Sequence, residues 1–317
     1  MYVVTGGAGF IGSHVVRALN ALNARGDADV LVVDLAPDAS SSPNLAGCEF
    51  SYMDAPGFLA ALEAGTLPGP VDAILHQGAC VDTTATDEAY MMENNLEFSK
   101  KLLDFALSRA VPFVYASSAS VYGTNRASRE VPENESPINL YARSKLAFDE
   151  VVRGALGRAR STVVGLRYFN VYGPGEAHKG RMASMAYQIY KQLRETGRVQ
   201  LFRGTDGFAD GEQRRDFIYA GDAARVNLFF AARPDARGIY NVGTGESRSF
   251  NEVARVAIGI LGRGGIEYIP FPDSLAGKYQ SFTEAELANL RAAGCDLAFT
   301  PLEEGLRLAA GAWEREA

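Results

Sequence analysis

Tyr141 and Lys145, in Tyr141-Ala-Arg-Ser-Lys145, stand four residues apart, so on a helix the phenol and the ammonium share one face. A phenol is too weakly acidic to act as a base at neutral pH unless its phenolate is stabilised, and a neighbouring ammonium does that. The pair therefore reads as a proton-transfer unit. Upstream, Ser117-Ser118-Ala-Ser-Val-Tyr-Gly123 follows an apolar strand pattern, which places a hydroxyl where it can donate to, or accept from, a reacting oxygen. Tyr-x-x-x-Lys alone is a common surface pattern. Its weight comes from what the N-terminus adds.

Residues 3–12 read Val-Val-Thr-Gly-Gly-Ala-Gly-Phe-Ile-Gly, an apolar strand running through a glycine turn into an apolar helix that Phe10 and Ile11 open. Gly7, Gly9 and Gly12 fit G-x-G-x-x-G, while Gly6, Gly9 and Gly12 fit T-G-x-x-G-x-x-G. Such glycines serve a tight turn, close backbone approach to a pyrophosphate, and close helix-on-strand packing. Asp34 ends a second apolar strand, Leu31-Val32-Val33, at about the twenty-residue separation where a ribose-binding carboxylate belongs.

These residues need a sheet to present them. Strand patterns fall near 2–5, 30–34, 48–53, 71–76, 111–117 and 162–169, alternating with helical patterns near 11–23, 55–64, 87–109 and 141–159. That alternation predicts an α/β fold, a Rossmann-type doubly wound parallel sheet with ligands at the carboxyl ends of its strands. In the second half, 182–196, 250–261, 283–293 and 302–315 read as helices and 200–203, 215–219, 239–242 and 266–271 as short strands. Residues 204–214 read as a loop, and Ala/Ser-rich 36–46 as a surface loop. The expected organisation is a dinucleotide-binding domain over 1–174, with 216–245 returning to it, and a smaller mixed α/β substrate domain over 175–215 and 246–317.

Composition narrows the function. The 317 residues carry 31 Lys+Arg against 38 Asp+Glu, a net charge of −7, with no long basic run. That speaks against nucleic acid or an anionic membrane surface as partner. No apolar stretch approaches a membrane span and no signal-type segment opens the chain, so a cytoplasmic protein is expected. Cys48, Cys80 and Cys295 are scattered and fit reduced thiols; His14, His76 and His178 lack ligand spacing, and no metal is called for.

Together the glycine run, Ser118, Tyr141 and Lys145 resemble the extended short-chain dehydrogenase/reductase family. The resemblance implies Tyr141 as acid/base, Lys145 as the residue that binds the nicotinamide ribose and lowers the Tyr141 pKa, and Ser118, rather than Ser117 or Ser120, as the residue positioning substrate. It implies a cofactor envelope of Gly6, Gly9, Phe10, Ile11, Gly12, Asp34, Leu35, Asp54, Gln77, Gly78, Ala79, Asn94, Lys145, Val171 and Lys179, holding one tightly bound, unconsumed dinucleotide per subunit. Resemblance points to NADP. Asp34 points to NAD, because an acid there repels a 2′-phosphate, and Leu35 and Asp38-Ala-Ser-Ser-Ser stand where NADP-using relatives carry Asn and Lys.

Within that family, Arg167-Tyr-Phe-Asn-Val-Tyr-Gly-Pro174 is shared by many nucleotide-sugar enzymes. Gly175-Glu-Ala-His-Lys-Gly-Arg-Met-Ala-Ser184, Arg215-Asp-Phe, Pro270-Phe-Pro-Asp, Gly277-Lys-Tyr-Gln and Phe282 to Gly294 resemble the narrower group that epimerises ADP-linked heptose at C6, in supply of lipopolysaccharide core heptose. This implies ADP-heptose as substrate, a homo-oligomer, pentameric in the group, and Lys179 as a second acid/base; as a flexible cation Lys179 reads equally as a phosphate clamp. Substrate contacts implied are Ser118, Asn170, Arg181, Gln188, Phe202, Arg203, Gly204, Thr205, Arg215 and Tyr279, with Arg215 on the pyrophosphate or else in a structural salt bridge. Arg181 replaces a small Ser of the best-known pattern, Gln188 replaces a His, and the 206–214 loop is longer. The competing readings are a UDP-galactose-type 4-epimerase and a non-catalytic NAD(P)-sensing protein. A 4,6-dehydratase is disfavoured by Ala119-Ser120, where such enzymes carry Asp-Glu.

Overall fold

The structure, a computed structural model, describes residues 1–23, 29–35, 39–275, 277 and 279–316. Asp38 and the preceding two residues of the Ala/Ser-rich stretch, and Lys278 of Gly277-Lys-Tyr-Gln, lie outside the described residues. The strands are β1 (Tyr2–Thr5), β2 (Val30–Asp34), β3 (Ser51–Asp54), β4 (Ala73–His76), β5 (Phe113–Ser118), β6 (Val163–Tyr168), β7 (Asn170–Tyr172), β8 (Arg198–Phe202), β9 (Arg214–Tyr219), β10 (Arg237–Val242), β11 (Ser247–Ser249) and β12 (Gly265–Ile269). Seven of them form one sheet in the order β10-β6-β5-β4-β1-β2-β3. β1 lies parallel to both β2 and β4, and the β2–β3 and β4–β5 pairs are also parallel. The strand order reverses at β1, which is the switch point where doubly wound sheets bind ligands.

The helices are α1 (Phe10–Asn23), α2 (Ala55–Ala64), α3 (Glu88–Met92), α4 (Phe98–Arg109), α5 (Leu140–Ala155), α6 (Met185–Thr196), α7 (Ala220–Ala231), α8 (Phe250–Leu261), α9 (Ala288–Ala292) and α10 (Leu302–Glu316). Their starts follow local chemistry. Asp54 accepts from Gly57 N at 2.7 Å and Pro56 fills the first turn of α2, which ends at Gly65 in the left-handed region. Asn139 accepts from Ala142 N to open α5, and Ser249 with Glu252 forms a reciprocal capping box on α8.

Two compact units result. The first comprises Met1–Ser118, Asn139–Arg167 and Ala223–Tyr240; the second comprises Ala119–Ile138, Tyr168–Asp222 and Asn241–Ala317. The first has its core in Val3, Ile74, Phe113, Tyr115 and Phe148. The second packs Ile189, Leu193, Val253, Leu306 and Trp313 beside a three-stranded sheet β11-β9-β7 and the parallel pair β12–β8.

Differences from the sequence reading have physical causes. The helix expected over 283–293 shrinks to α9, because upstream backbone groups are already used: Thr283 N donates to Arg214 O and Ala285 N to the Asp216 carboxylate. Helix α7 was hidden by Asp222 and Asn227, polar side chains that are nevertheless buried on its inner face. The 36–46 stretch is more than a surface loop, since 39–41 and 43–45 form short helical turns that bury Ala39 and Leu45. No helix among the described residues is long and apolar enough to cross a membrane.

A Cβ on Gly12 would stand 2.0 Å from Gly6 O, a clash with backbone. Gly12→Ala is expected to cost about 1–3 kcal/mol and to weaken dinucleotide retention. An unchanged Tm in thermal denaturation would overturn this packing account.

Candidate active site

In the first unit, the turn after β1 presses against the turn after β4. Gly6 has φ 64°, and a Cβ there would meet Gly78 Cα at 2.6 Å, while one on Gly7 would meet Val32 Cγ1 at 2.9 Å, so both glycines of the pair are needed in this turn. A Cβ on Gly9 would meet only Gly6 O, at 3.2 Å, leaving that backbone open to a close ligand. Helix α1 then begins at Phe10 with no acidic residue in its first turn, so its positive end is not neutralised. Phe10 is buried and Ile11 half-buried. These features fit a dinucleotide pyrophosphate.

At the end of β2, Asp34 accepts from Ala8 N (3.0 Å) and from Leu35 N (2.8 Å), while Leu35 itself is exposed. Ser42 Oγ and Asn44 Nδ2 both donate to Ala8 O, and Arg17 donates to Asn44 O at 2.8 Å. Asp54 sits opposite Asp34 in the β2–β3 register, with one oxygen used in the α2 cap. Gln77 donates from its backbone to Thr5 O and from its side chain to Asn227 Oδ1, so the backbone of Gln77, Gly78 and half-buried Ala79 is what the turn after β4 offers. Beneath it, His76 is hydrogen-bonded to Thr5 Oγ1 (2.6 Å) and Ser99 Oγ (2.8 Å), and burial with nearby Lys145 pushes its pKa down to about 3. It is a neutral structural imidazole.

Asn94 donates to Tyr90 O within its own helix. Its neighbour Asn95, which sequence reasoning passed over, is the buried one: it accepts from Cys80 N and donates to Cys80 O and Ser144 Oγ, tying the 78–80 turn to α5. A wider π turn over Glu93–Glu97 places Asn95 on the inner face. Nothing in Glu-Asn-Asn distinguishes the two.

The proton-transfer group lies at the end of β5. Ser117 turns into the protein and donates to Asp149 Oδ2, whereas Ser118 is hydrogen-bonded to Tyr141. The two serines therefore have different partners. Lys145 is 6% exposed, donates to Ala116 O at 2.8 Å and holds its Nζ 5.9 Å from the Tyr141 ring centroid. Burial raises the Tyr141 pKa, with the Ser118 hydrogen bond opposing, and burial lowers Lys145 to about 8, with Asp149 opposing. A phenol pKa lowered by Lys145 was expected; in the chain alone burial dominates, because the ammonium is aimed at a carbonyl.

In the second unit, Asn170 and Val171 lie on β7, with Asn170 Nδ2 donating to Asp216 O and Thr283 Oγ1. Half-buried Lys179 and exposed Arg181 share the turn Ala177–Met182, and Gln188 donates to Gly180 O at 2.7 Å. Arg215 on β9 is 8% exposed, stacked 4.9 Å from Tyr279 and 5.4 Å from Phe250, and hydrogen-bonded to Tyr279 and Arg214 O. Among the described residues no carboxylate pairs with it. A buried cation of this kind is one that an anion would complete. Phe202 packs on Phe271 and Tyr279, Arg203 N donates to Ile269 O, and Gly204 and Thr205 begin the loop before β9.

A glycine cradle at the switch point and a Ser–Tyr–Lys group at the end of β5 define an extended short-chain dehydrogenase/reductase. The NAD dependent epimerase/dehydratase family model matches residues 2–243, and the chain belongs to that family, whose cofactor is a nicotinamide dinucleotide. It is 52% identical over 308 residues to the ADP-L-glycero-D-manno-heptose-6-epimerase of Alkalilimnicola ehrlichii, covering 97% of this chain and 95% of that one. It is 48% identical to the protein of that name from Thiobacillus denitrificans, covering 96% of this chain and 95% of that one. The crystal structure of the Helicobacter pylori ADP-L-glycero-D-manno-heptose-6-epimerase superposes with a TM-score of 0.84 at 32% identity, covering 98% and 95% of the two chains.

Because the folded pKa of Lys145 lies below its ordinary value, its contribution to stability is complete above pH 10.5 and lost as pH falls through about 8. Lys145→Met is therefore expected to match or exceed the parent Tm at pH 7, with the difference shrinking toward pH 10.5, while turnover falls by at least about a hundredfold. A markedly lower Tm at pH 7 would contradict the burial account.

Proposed function

We propose that the protein interconverts ADP-D-glycero- and ADP-L-glycero-β-D-manno-heptose by transient oxidation at C6 and re-reduction on the opposite face. The observation that carries this reading is the Ser118–Tyr141 hydrogen bond at the end of β5, with Lys145 buried beside it. Near-full-length similarity to proteins named for this activity supports the substrate, and the buried Arg215 guanidinium suits a substrate pyrophosphate. Asn170, Arg181, Gln188, Phe202, Arg203, Gly204, Thr205 and Tyr279 are proposed as further substrate contacts.

A nicotinamide dinucleotide held over the turns after β1 and β4, by residues that include Gly6, Gly9, Gly12 and Gly78, would supply a reversible hydride acceptor for the C6 carbinol, so there would be no net redox. Tyr141 takes the hydroxyl proton as the ketone forms, and Ser118 donates to the same oxygen. Rotation of the small C6 group, rather than the whole sugar, presents the other face. There Lys179 is proposed to supply the proton, its pKa lowered by burial toward working pH. The enzyme is proposed to act as a cytoplasmic homo-oligomer.

For the dinucleotide, resemblance favours NADP. A specific observation favours NAD: Asp34 keeps an acid at the end of β2, Leu35 beside it is exposed, and Arg17, the cation near this corner, is engaged with Asn44 O. Cofactor released by denaturation is expected to be NAD, and recovery of NADP would reject the Asp34 argument.

Incubation with ADP-D-glycero-D-manno-heptose is expected to give a product of unchanged mass with inverted C6 by NMR. Tyr141→Phe should cut turnover by at least about a hundredfold with cofactor retained. Near-normal turnover in that variant removes Tyr141 from its role. Turnover of UDP-galactose in place of ADP-heptose would establish a 4-epimerase, and cofactor binding without turnover of either would establish a sensor.

A further inference from the structure

The turn that carries Lys179 is held from inside. Glu176, fully buried, accepts from Gly173 N (3.0 Å) and Ser184 Oγ (3.0 Å) through Oε1 and from Ser184 N (2.6 Å) through Oε2. Gly173 precedes the turn and Ser184 follows it, so one carboxylate closes the base of the loop. The exit is fixed as well, because Ser184 Oγ accepts from Tyr187 N and caps α6. Lys179 N donates to Glu176 O at 3.0 Å, which connects the clamp to the lysine directly. Gly180, with φ 54° and ψ −121°, turns the chain back.

We propose that Glu176 is the positioning residue for Lys179, its buried carboxylate fixing the 173–184 loop so that the ammonium is presented in one place. The proposal rests on Lys179 having the acid/base role given above. A carboxylate is acceptor-only and suits three donors. An amide of the same size is not: whichever way Glu176→Gln is turned, its NH2 faces either Gly173 N or Ser184 N, and one buried backbone donor loses its acceptor. Protonation has the same effect. The titratable or charged groups facing Glu176 are Lys179 from its own turn and Tyr187 from α6. Burial pushes the carboxyl up to about 7, with Lys179 and the hydrogen bonds opposing. The clamp is therefore complete above about pH 7 and loosens as pH falls through that value.

The test compares Glu176→Gln with the parent in kcat, KM, pH profile and amide exchange, with Lys179→Met alongside. Misplacement of a reacting group by about 1 Å can cost about a hundredfold, and a kcat loss of that order is expected with KM changed by less than about threefold. The parent should show an acid limb near pH 7 that Glu176→Gln lacks, and exchange in the 173–184 segment should quicken in the variant. Unchanged kcat with the acid limb intact overturns the proposal, as does unchanged exchange. If Lys179→Met keeps normal kcat, or loses only KM in a way Lys179→Arg repairs, the acid/base reading of Lys179 fails, and the exchange result still decides whether Glu176 is a clamp. Should Glu176→Gln not fold, Ser184→Ala removes one of the three bonds together with the Tyr187 N cap on α6, and is expected to give a smaller kcat loss with quickened exchange in the 173–184 segment; its full activity would count against the proposal.

Discussion

In the first unit the geometry depends on a buried charge, the Asp149 carboxylate. It accepts from Tyr115 Oη (2.8 Å) and Ser117 Oγ (2.9 Å) on β5 and from Arg167 Nε (2.9 Å) and Nη2 (2.8 Å) on β6, with both members of the ion pair fully buried. Asp149 lies one helical turn beyond Lys145 and two beyond Tyr141 on α5. One side chain thus fastens the helix bearing the phenol and ammonium to the strand bearing Ser118. Such a pair is costly to bury, and removing one partner typically costs about 3–5 kcal/mol because the other charge is left stranded. What the pair brings is register: a slide of α5 along β5 would forfeit four hydrogen bonds at once. The same charge opposes the desolvation of Lys145.

The second unit repeats the device with a different acid. Asp216 on β9 is fully buried and accepts from Thr244 N and Oγ1, Gly245 N and Ala285 N, gathering two further chain segments onto the strand that also carries Arg215. Backbone donors and a hydroxyl rather than a cation satisfy it, and among the described residues no carboxylate is paired with the neighbouring Arg215. Had Asp216 paired with Arg215, the guanidinium would offer an incoming anion little. The two residues are neighbours on β9, and because successive side chains of a strand point to opposite faces they are kept apart.

Much of this was legible in the sequence because the signals were local. The glycine run, the β1 to β6 patterns and the Tyr141–Lys145 spacing all depend on near neighbours, and α2 and α8 fall on their expected bounds. Misreadings came where distant groups decide. Residues 283–287 have a helical pattern but give their amides to β9 and Asp216, and α7 has no clean apolar stripe because its buried Asp222 and Asn227 are satisfied by partners far along the chain, Thr300 N and Gln77 among them. Asn95 and Asp149 share this property. Each is an ordinary polar residue in sequence, and its importance follows from donors brought to it by folding.

The departures from the best-known ADP-heptose pattern acquire a physical reading on the same grounds. Gln188 occupies a position where a His was expected, yet its amide donates to Gly180 O and thereby braces the Lys179 turn from α6. A neutral imidazole N–H offers the same single donor, so the exchange preserves the bond while removing a group that titrates near neutral pH. Arg181 is exposed on that turn. The Gln188 bond is a single one that another donor can replace, whereas at Glu176 three donors converge on one carboxylate, and no other side chain of that reach is acceptor-only.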